Sequence, residues 1–203
     1  MRSSLIAFTM RAKGNRTTMQ QLLDQAVSES LALLPSLRAM GPKLTQLGEL
    51  LLNCWEGRGK VLIAGNGGSL SDAMHFAEEL SVRFKKNRRA LAAIALCDPA
   101  AITCAGNDFG YESVFERQVE ALGNPGDVLV VFTTSGNSKN ILRAVDLAKS
   151  QKLKSVAFLG NTGGAAAGRC DLEFIIPSNS TARIQEAHKL LFHTACEWID
   201  SKV

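Results

Sequence analysis

The sequence predicts an α/β fold, a three-layer αβα sandwich on a five-stranded parallel sheet, with helices added at the N-terminal end. Three observations predict it. Short apolar runs alternate with helical segments from residue 60 to residue 200. Five such runs are present, and most are apolar throughout, as strands covered by helices on both faces must be. At 203 residues the chain suits one domain with a sizeable core.

Two helices come first. "MQQLLDQAVSESLALL" (19–34) carries Leu22, Leu23, Ala26, Val27, Leu31 and Leu34 at helical spacing. "KLTQLGELLLNCW" (43–55) repeats the pattern with Leu44, Leu47, Leu50, Leu51, Cys54 and Trp55. Pro35 and the Gly41-Pro42 pair mark a break between them. "KVLIAG" (60–65) is a strand entering a glycine turn, with a helix from about Ser69, and "ALAAIAL" (90–96) is a second, alanine-softened strand. "DPAAITCAGN" (98–107) is a short helix with Asp98 as N-cap and Pro99 at its first position. "SVFERQVEAL" (113–122) is another, closed by Gly123. "DVLVVF" (127–132) is the strongest strand, followed by the helix "SKNILRAVDLAKSQ" (138–151). "KSVAFLG" (154–160) and "LEFIIP" (172–177) complete the sheet, and the helix "ARIQEAHKLLFHTACEWID" (182–200) closes the chain. The turn "GNTGG" (160–164) echoes "GNGG" (65–68), each after a strand.

Composition narrows the function. With 46% hydrophobic and 21% charged residues the chain reads as an ordinary soluble protein. Its formal charge of +4 resides partly in residues 1–18, which hold Arg2, Arg11, Lys13 and Arg16 and no acid. The remainder is near neutral, which gives no argument for nucleic acid, and the basic run "FKKNRR" (84–89) reads as a solvated loop. Five cysteines form an odd set without a C-x-x-C pair, as expected of buried thiols in a reducing cytoplasm. No apolar run approaches the roughly 18 residues that span a membrane. Residues 1–18 resemble a weak targeting segment with too short an apolar part, and read as a disordered extension ahead of a single domain over 19–203.

In open parallel sheets ligands bind beyond the carboxyl ends of strands. Two of those ends are polar here: Gly65-Asn66-Gly67-Gly68-Ser69, and Thr133-Thr134-Ser135-Gly136-Asn137-Ser138. Glycines admit a ligand close to the backbone, and helix-start N–H groups with hydroxyls bind an anion without a lysine. No G-K-[ST] or G-x-G-x-x-G follows, which favours a small phosphoester over a nucleotide. The bland alternative is that Ser69 and Ser138 only cap helices. His75 and Glu79, at i and i+4, share a helix face and suit either two metal ligands or an acid–base couple. On the last helix Gln185 and His193 lie within roughly 80° of each other but about 12 Å apart along the axis. His193, among apolar neighbours, needs a partner or a task, whereas His188 reads as a surface or packing residue.

The segments "GNGGSLSDAMHFAEEL", "AGNDFGYE", "TTSGNS" and "RIQEAHKLLFH" resemble, in order and spacing, the phosphoheptose isomerases of the SIS (sugar isomerase) fold, over residues 19–200. The resemblance implies a cytoplasmic homotetramer with sites at subunit interfaces. Its reaction would convert D-sedoheptulose 7-phosphate to D-glycero-D-manno-heptose 7-phosphate, the first step toward activated heptose for lipopolysaccharide or glycoprotein glycans. It assigns the phosphate to Ser69 and to Thr133, Thr134, Ser135 and Ser138, with Asn66, Gly67 and Gly68 at the same site. Glu79 becomes the base between C1 and C2, with His193 its acid partner. His75, Glu79, Gln185 and His193 match the zinc ligands of some members, and Arg83, Asn107, Asp108 and Gln185 would hold the sugar. Thr133 replaces a common serine and keeps the hydroxyl. Ala182 replaces an aspartate that contacts substrate in some members, so that contact is missing. A glutamate cannot be a tight zinc ligand and a free base at once, and the sequence leaves the choice open.

Three other readings compete. A non-catalytic relative of the same fold, which binds the bacterial replication initiator, lacks the helix carboxylate and the final histidine that Glu79 and His193 supply here. Sugar-phosphate sensors of this fold carry a helix-turn-helix module that residues 1–18 are too short to form. Isomerases of other sugar phosphates share the phosphate loops.

Overall fold

The computed structural model describes residues 17–203, so most of the expected extension lies outside the described residues. Thr18, which the sequence reading leaves in that extension, caps the first helix reciprocally with Gln21.

Five strands, β1 (Val61–Gly65), β2 (Ala93–Ala95), β3 (Val128–Thr133), β4 (Lys154–Gly160) and β5 (Leu172–Ile176), pair in parallel in the order β2-β1-β3-β4-β5. Successive side chains of a strand face opposite ways, and here both faces are dry. Val61, Ile63, Val130 and Phe132 enter one core under α1 (Met19–Arg38), α2 (Gly41–Glu56), α3 (Gly68–Ser81) and α7 (Thr181–Asp200). Leu62, Ala64, Leu129 and Val131 enter the other, under α4 (Pro99–Asp108), α5 (Glu116–Leu122) and α6 (Lys139–Ser150). The three layers and the parallel sheet are as predicted.

The topology places the site. From β1 the chain moves outward to β2, then returns to β3 on the other side of β1. The helix after β1, α3, covers one face, and the helix after β3, α6, covers the other. The two polar loops therefore part at adjacent strand ends and open a crevice between them.

Four details depart from the sequence reading. Pro35 does not end the first helix, which runs on to Arg38. Leu33 and Leu37 are both buried, anchoring the helix on either side of the proline, while Leu31, whose carbonyl loses its partner, is exposed. β2 shrinks to three residues at the sheet edge, where only Ala93–Ala95 pair with β1. The cysteines form no disulfide, but Cys104 is exposed, on the outer side of α4 from the buried Ala105.

The fourth departure is the basic run, which is not all solvated. The side chain of Arg88 is buried, and its Nε lies 2.7 Å from Asp200 Oδ1. Its other nitrogens donate to the Leu80 and Glu79 carbonyls at 2.9 and 2.7 Å, satisfying the end of α3. Burial alone would raise the Asp200 pKa, but Arg88 and the backbone N–H groups of Lys86 and Lys85 hold it below the ordinary value. Among the described residues no helix is long and apolar enough to cross a membrane.

Candidate active site

The first loop turns at Gly67, whose φ of 55° and ψ of −122° suit only glycine. A Cβ on Gly65 would strike the Ser69 carbonyl, so this turn closes on itself tightly. Gly67 is the N-cap of α3, and Ser69 is the second residue of the helix rather than its cap. Ser138 does occupy the N-cap of α6 but makes no capping hydrogen bond with its side chain. Neither serine side chain therefore caps its helix. Within the second loop, the buried Thr133 hydroxyl accepts from Gly136 N at 3.2 Å, and Ser135 Oγ accepts from Asn137 N at 3.2 Å.

The echoing turn "GNTGG" is no second cradle. Gly136 packs so closely on it that a Cβ there would collide with the Gly163 carbonyl. Ala166 N donates to Gly136 O at 2.9 Å and Ala165 N to Asn137 Oδ1 at 2.9 Å. The turn is a buttress behind the Thr133–Ser138 loop. A polar cavity of about 230 Å³ opens there, lined by Thr134, Ser135, Asn161, Thr162, Asn179 and Thr181 among others.

Beyond the cradle, α3 and α7 run side by side in the same direction, with Gln185 against Gly68 and His193 against His75. His75 Nε2 lies 2.9 Å from Glu79 Oε1 and 3.4 Å from His193 Nε2. One ligand atom from each of the three residues falls within 4.8 Å of the others. Phe84 stacks on the His193 ring, and Phe192 meets the His75 ring edge-on, each with centroids 5.5 Å apart. Burial, and then the neighbouring His75, lower the His193 pKa. A neutral imidazole can ligate a metal or polarise a carbonyl. Two imidazole nitrogens and a carboxylate oxygen in this space form a donor set that suits zinc.

The structure thus unites His75, Glu79 and His193, and sets Asn66, Gly67, Gly68, Ser69 and Gln185 at the cradle end. Gln185, eight residues before His193, lies about 12 Å back along the helix. Arg83 is exposed just past α3 and forms no ion pair among the described residues. Asn107 and Asp108 are exposed at the end of α4, where Asp108 accepts from Asn107 Nδ2 at 2.7 Å and from Cys104 Sγ at 3.4 Å. His188 is a packing residue rather than a surface one: it is fully buried, with Nε2 3.1 Å from the Leu159 carbonyl.

Sequence reasoning passed over Asp72. It is buried three residues before His75, with Oδ1 3.3 Å from Lys189 Nζ and Oδ2 without a partner among the described residues. Burial raises its pKa. The spacing of Asp72, His75 and Glu79 along one helix face was the available signal. Asn140 and Tyr111, which bond to Asn66, carried no such signal.

A model of the SIS domain family matches residues 27–160. The chain is 46% identical over 183 residues to phosphoheptose isomerase 1 of Campylobacter jejuni, covering 90% of this chain and 98% of that one. A solved phosphoheptose isomerase from Francisella tularensis superposes with a TM-score of 0.87 at 39% identity, covering 91% of this chain and all of that one. One from Neisseria gonorrhoeae gives a TM-score of 0.85 at 41% identity, with 91% of this chain covered.

Proposed function

Because the chain belongs to the phosphoheptose isomerase family of SIS domain proteins, we propose that this site converts D-sedoheptulose 7-phosphate to D-glycero-D-manno-heptose 7-phosphate through an enediol. The observation that supports it is the meeting of Glu79 with His75 and His193 on two helices that also flank the glycine cradle. The cradle and the hydroxyls of Ser69, Ser135 and Ser138 hold the phosphate. Glu79 takes a proton from C1 of the ketose, the C1–H electrons form the C1–C2 double bond, and the C2 oxygen gains a proton. The O1 proton then leaves, C1 becomes the aldehyde carbon, and a proton is returned to C2. His193 serves the oxygens, where charge develops.

His75 and His193 are the residues that would hold zinc, with Glu79 exchanging between the metal and its role as base; Gln185, whose amide stands against Gly68, would have to reach forward along α7 to join them. Bound zinc would supply Lewis-acid polarisation of the carbonyl. We place the enzyme in the cytoplasm as a homotetramer with its sites at subunit interfaces, where Arg83 and Asp108 complete the sugar pocket.

Turnover in deuterated water should place deuterium at C2 of the aldose. Glu79→Gln keeps the shape and removes the base, so the rate should fall by about 10² to 10⁴, as is typical of general-base loss. The mutant should still bind substrate within about tenfold, because the phosphate contacts lie elsewhere. Near-full activity in Glu79→Gln would reduce the carboxylate to a surface group and remove the mechanism. Elemental analysis after reconstitution should find zinc, and full turnover in chelator would take the metal out of the reaction.

A further inference from the structure

Asn66, Asn140 and Tyr111 close on one another across the crevice. Asn66 follows β1, Asn140 is the second residue of α6, and Tyr111 opens the 3-10 turn Tyr111–Ser113 after α4. The two carboxamides pair face to face: Asn66 Nδ2 donates to Asn140 Oδ1 at 3.0 Å, and Asn140 Nδ2 donates to Asn66 Oδ1 at 2.9 Å. A third bond decides which way round they sit. The backbone N–H of Ile141 donates to Asn140 Oδ1 at 2.9 Å, and only an oxygen can accept there. That fixes Asn140, and Asn140 fixes Asn66. The Tyr111 hydroxyl then donates to the same Asn66 oxygen at 2.9 Å.

Both lone pairs of the Asn66 oxygen are therefore committed, and one N–H hydrogen of its amide has no partner among the described residues. Beside a phosphate, a fixed N–H donor attracts negative charge, whereas a free amide oxygen repels it. We infer that Asn140 and Tyr111 are positioning residues for the isomerisation: they hold Asn66 in the one orientation that offers the substrate a donor. This rests on the sugar-phosphate isomerase reading of the site. Asn140 is buried, while Tyr111 is exposed enough for its hydroxyl to be removed without disturbing the core.

A double-mutant cycle on kcat/KM for sedoheptulose 7-phosphate tests this. Tyr111→Phe should cost about fivefold and Asn140→Ala about tenfold or more, the scale of one and two hydrogen bonds. In an Asn66→Ala background each effect should shrink below about twofold, since the only route of action is gone. Asn66→Asp, which has the same shape but a second acceptor in place of the donor, should be worse than Asn66→Ala. A merely structural role would not order those two variants that way. A Tyr111→Phe loss that is the same with and without Asn66, or an Asn66→Asp enzyme better than Asn66→Ala, overturns the inference. Should Asn140→Ala not fold, the Tyr111 and Asn66 variants still decide. The same cycle is read in calorimetric affinity for the ketose phosphate. A wild type that binds without converting it removes the isomerase reading and leaves the coupling measurable, while a wild type that does not bind removes both.

Discussion

At the scale of single residues, His188 carries a pH dependence that has nothing to do with catalysis. Burial pushes its imidazole down to about 4, while the Leu159 carbonyl favours the charged form only weakly. The unfolded chain takes up a proton here as pH falls below about 6.5, and the folded chain refuses it until near pH 4. Stability from this group is thus complete above the unfolded pKa and is lost as pH falls through that window, by about 3 kcal/mol at most. Urea unfolding of wild type and His188→Leu at several pH values checks this: the mutant should show a flatter slope between pH 6.5 and pH 4. Parallel slopes would mean that another group titrates there. The sequence marked His75, Glu79 and His193 because histidines are scarce and helical spacing is regular. It did not reveal that His188 is buried, because that depends on Phe132 and Phe158 closing over it from two strands. Asn140 and Tyr111 were hidden for the same reason: their meaning lies in a crevice that exists only once β1 and β3 are adjacent.

At the scale of elements, the end of α3 depends on a residue outside it. Arg88 holds the last turn through the Glu79 and Leu80 carbonyls while pairing with Asp200 at the end of α7. Removing the guanidinium leaves the buried Asp200 with the Lys85 and Lys86 N–H groups but no counter-charge, so Arg88→Ala should cost about 3–5 kcal/mol in denaturant unfolding. Arg88→Lys should recover little, because an ammonium cannot span Asp200 and two carbonyls with one rigid fork. A loss below about 1 kcal/mol, the scale of an exposed pair, would show that the pair is solvated after all. Continuous apolar runs made β1, β3 and β4 legible in the sequence, since few other structures bury five such residues in a row. Pro35 misled because local sterics oppose a helix there, and only the tertiary burial of Leu37 outweighs them.

At the scale of the whole molecule, α1 leaves Leu22, Leu23, Val27, Leu31 and Leu34 about half exposed. Leu23, Val27, Leu31 and Leu34 border a groove of about 350 Å³ against α7, with Arg183 and Glu186 on its far wall. An apolar stripe of this length on a small domain is the surface at which the proposed tetramer would pack. Light scattering at micromolar concentration should report four chains, and Val27→Asp with Leu31→Asp should give smaller species with lower activity. A monomeric wild type would end the proposal of shared sites.

In the proposed reaction one helix carries both ends. Glu79 stands eleven residues beyond Gly68 on α3, and the axis rises about 16 Å over that stretch, with side chains leaning back toward the cradle. On that proposal the helix is a ruler laid between the phosphate and the reacting carbons. Ketose phosphates of five, six and seven carbons carry the same groups in the same order and differ in the distance between their ends. Held by the phosphate, the shorter ones bring C1 up short of the base. Selection by chain length then needs no side chain to read the additional hydroxyls. Shorter ketose phosphates should bind nearly as well as the heptose and turn over far more slowly, and equal kcat values across the series would show that the spacing selects nothing.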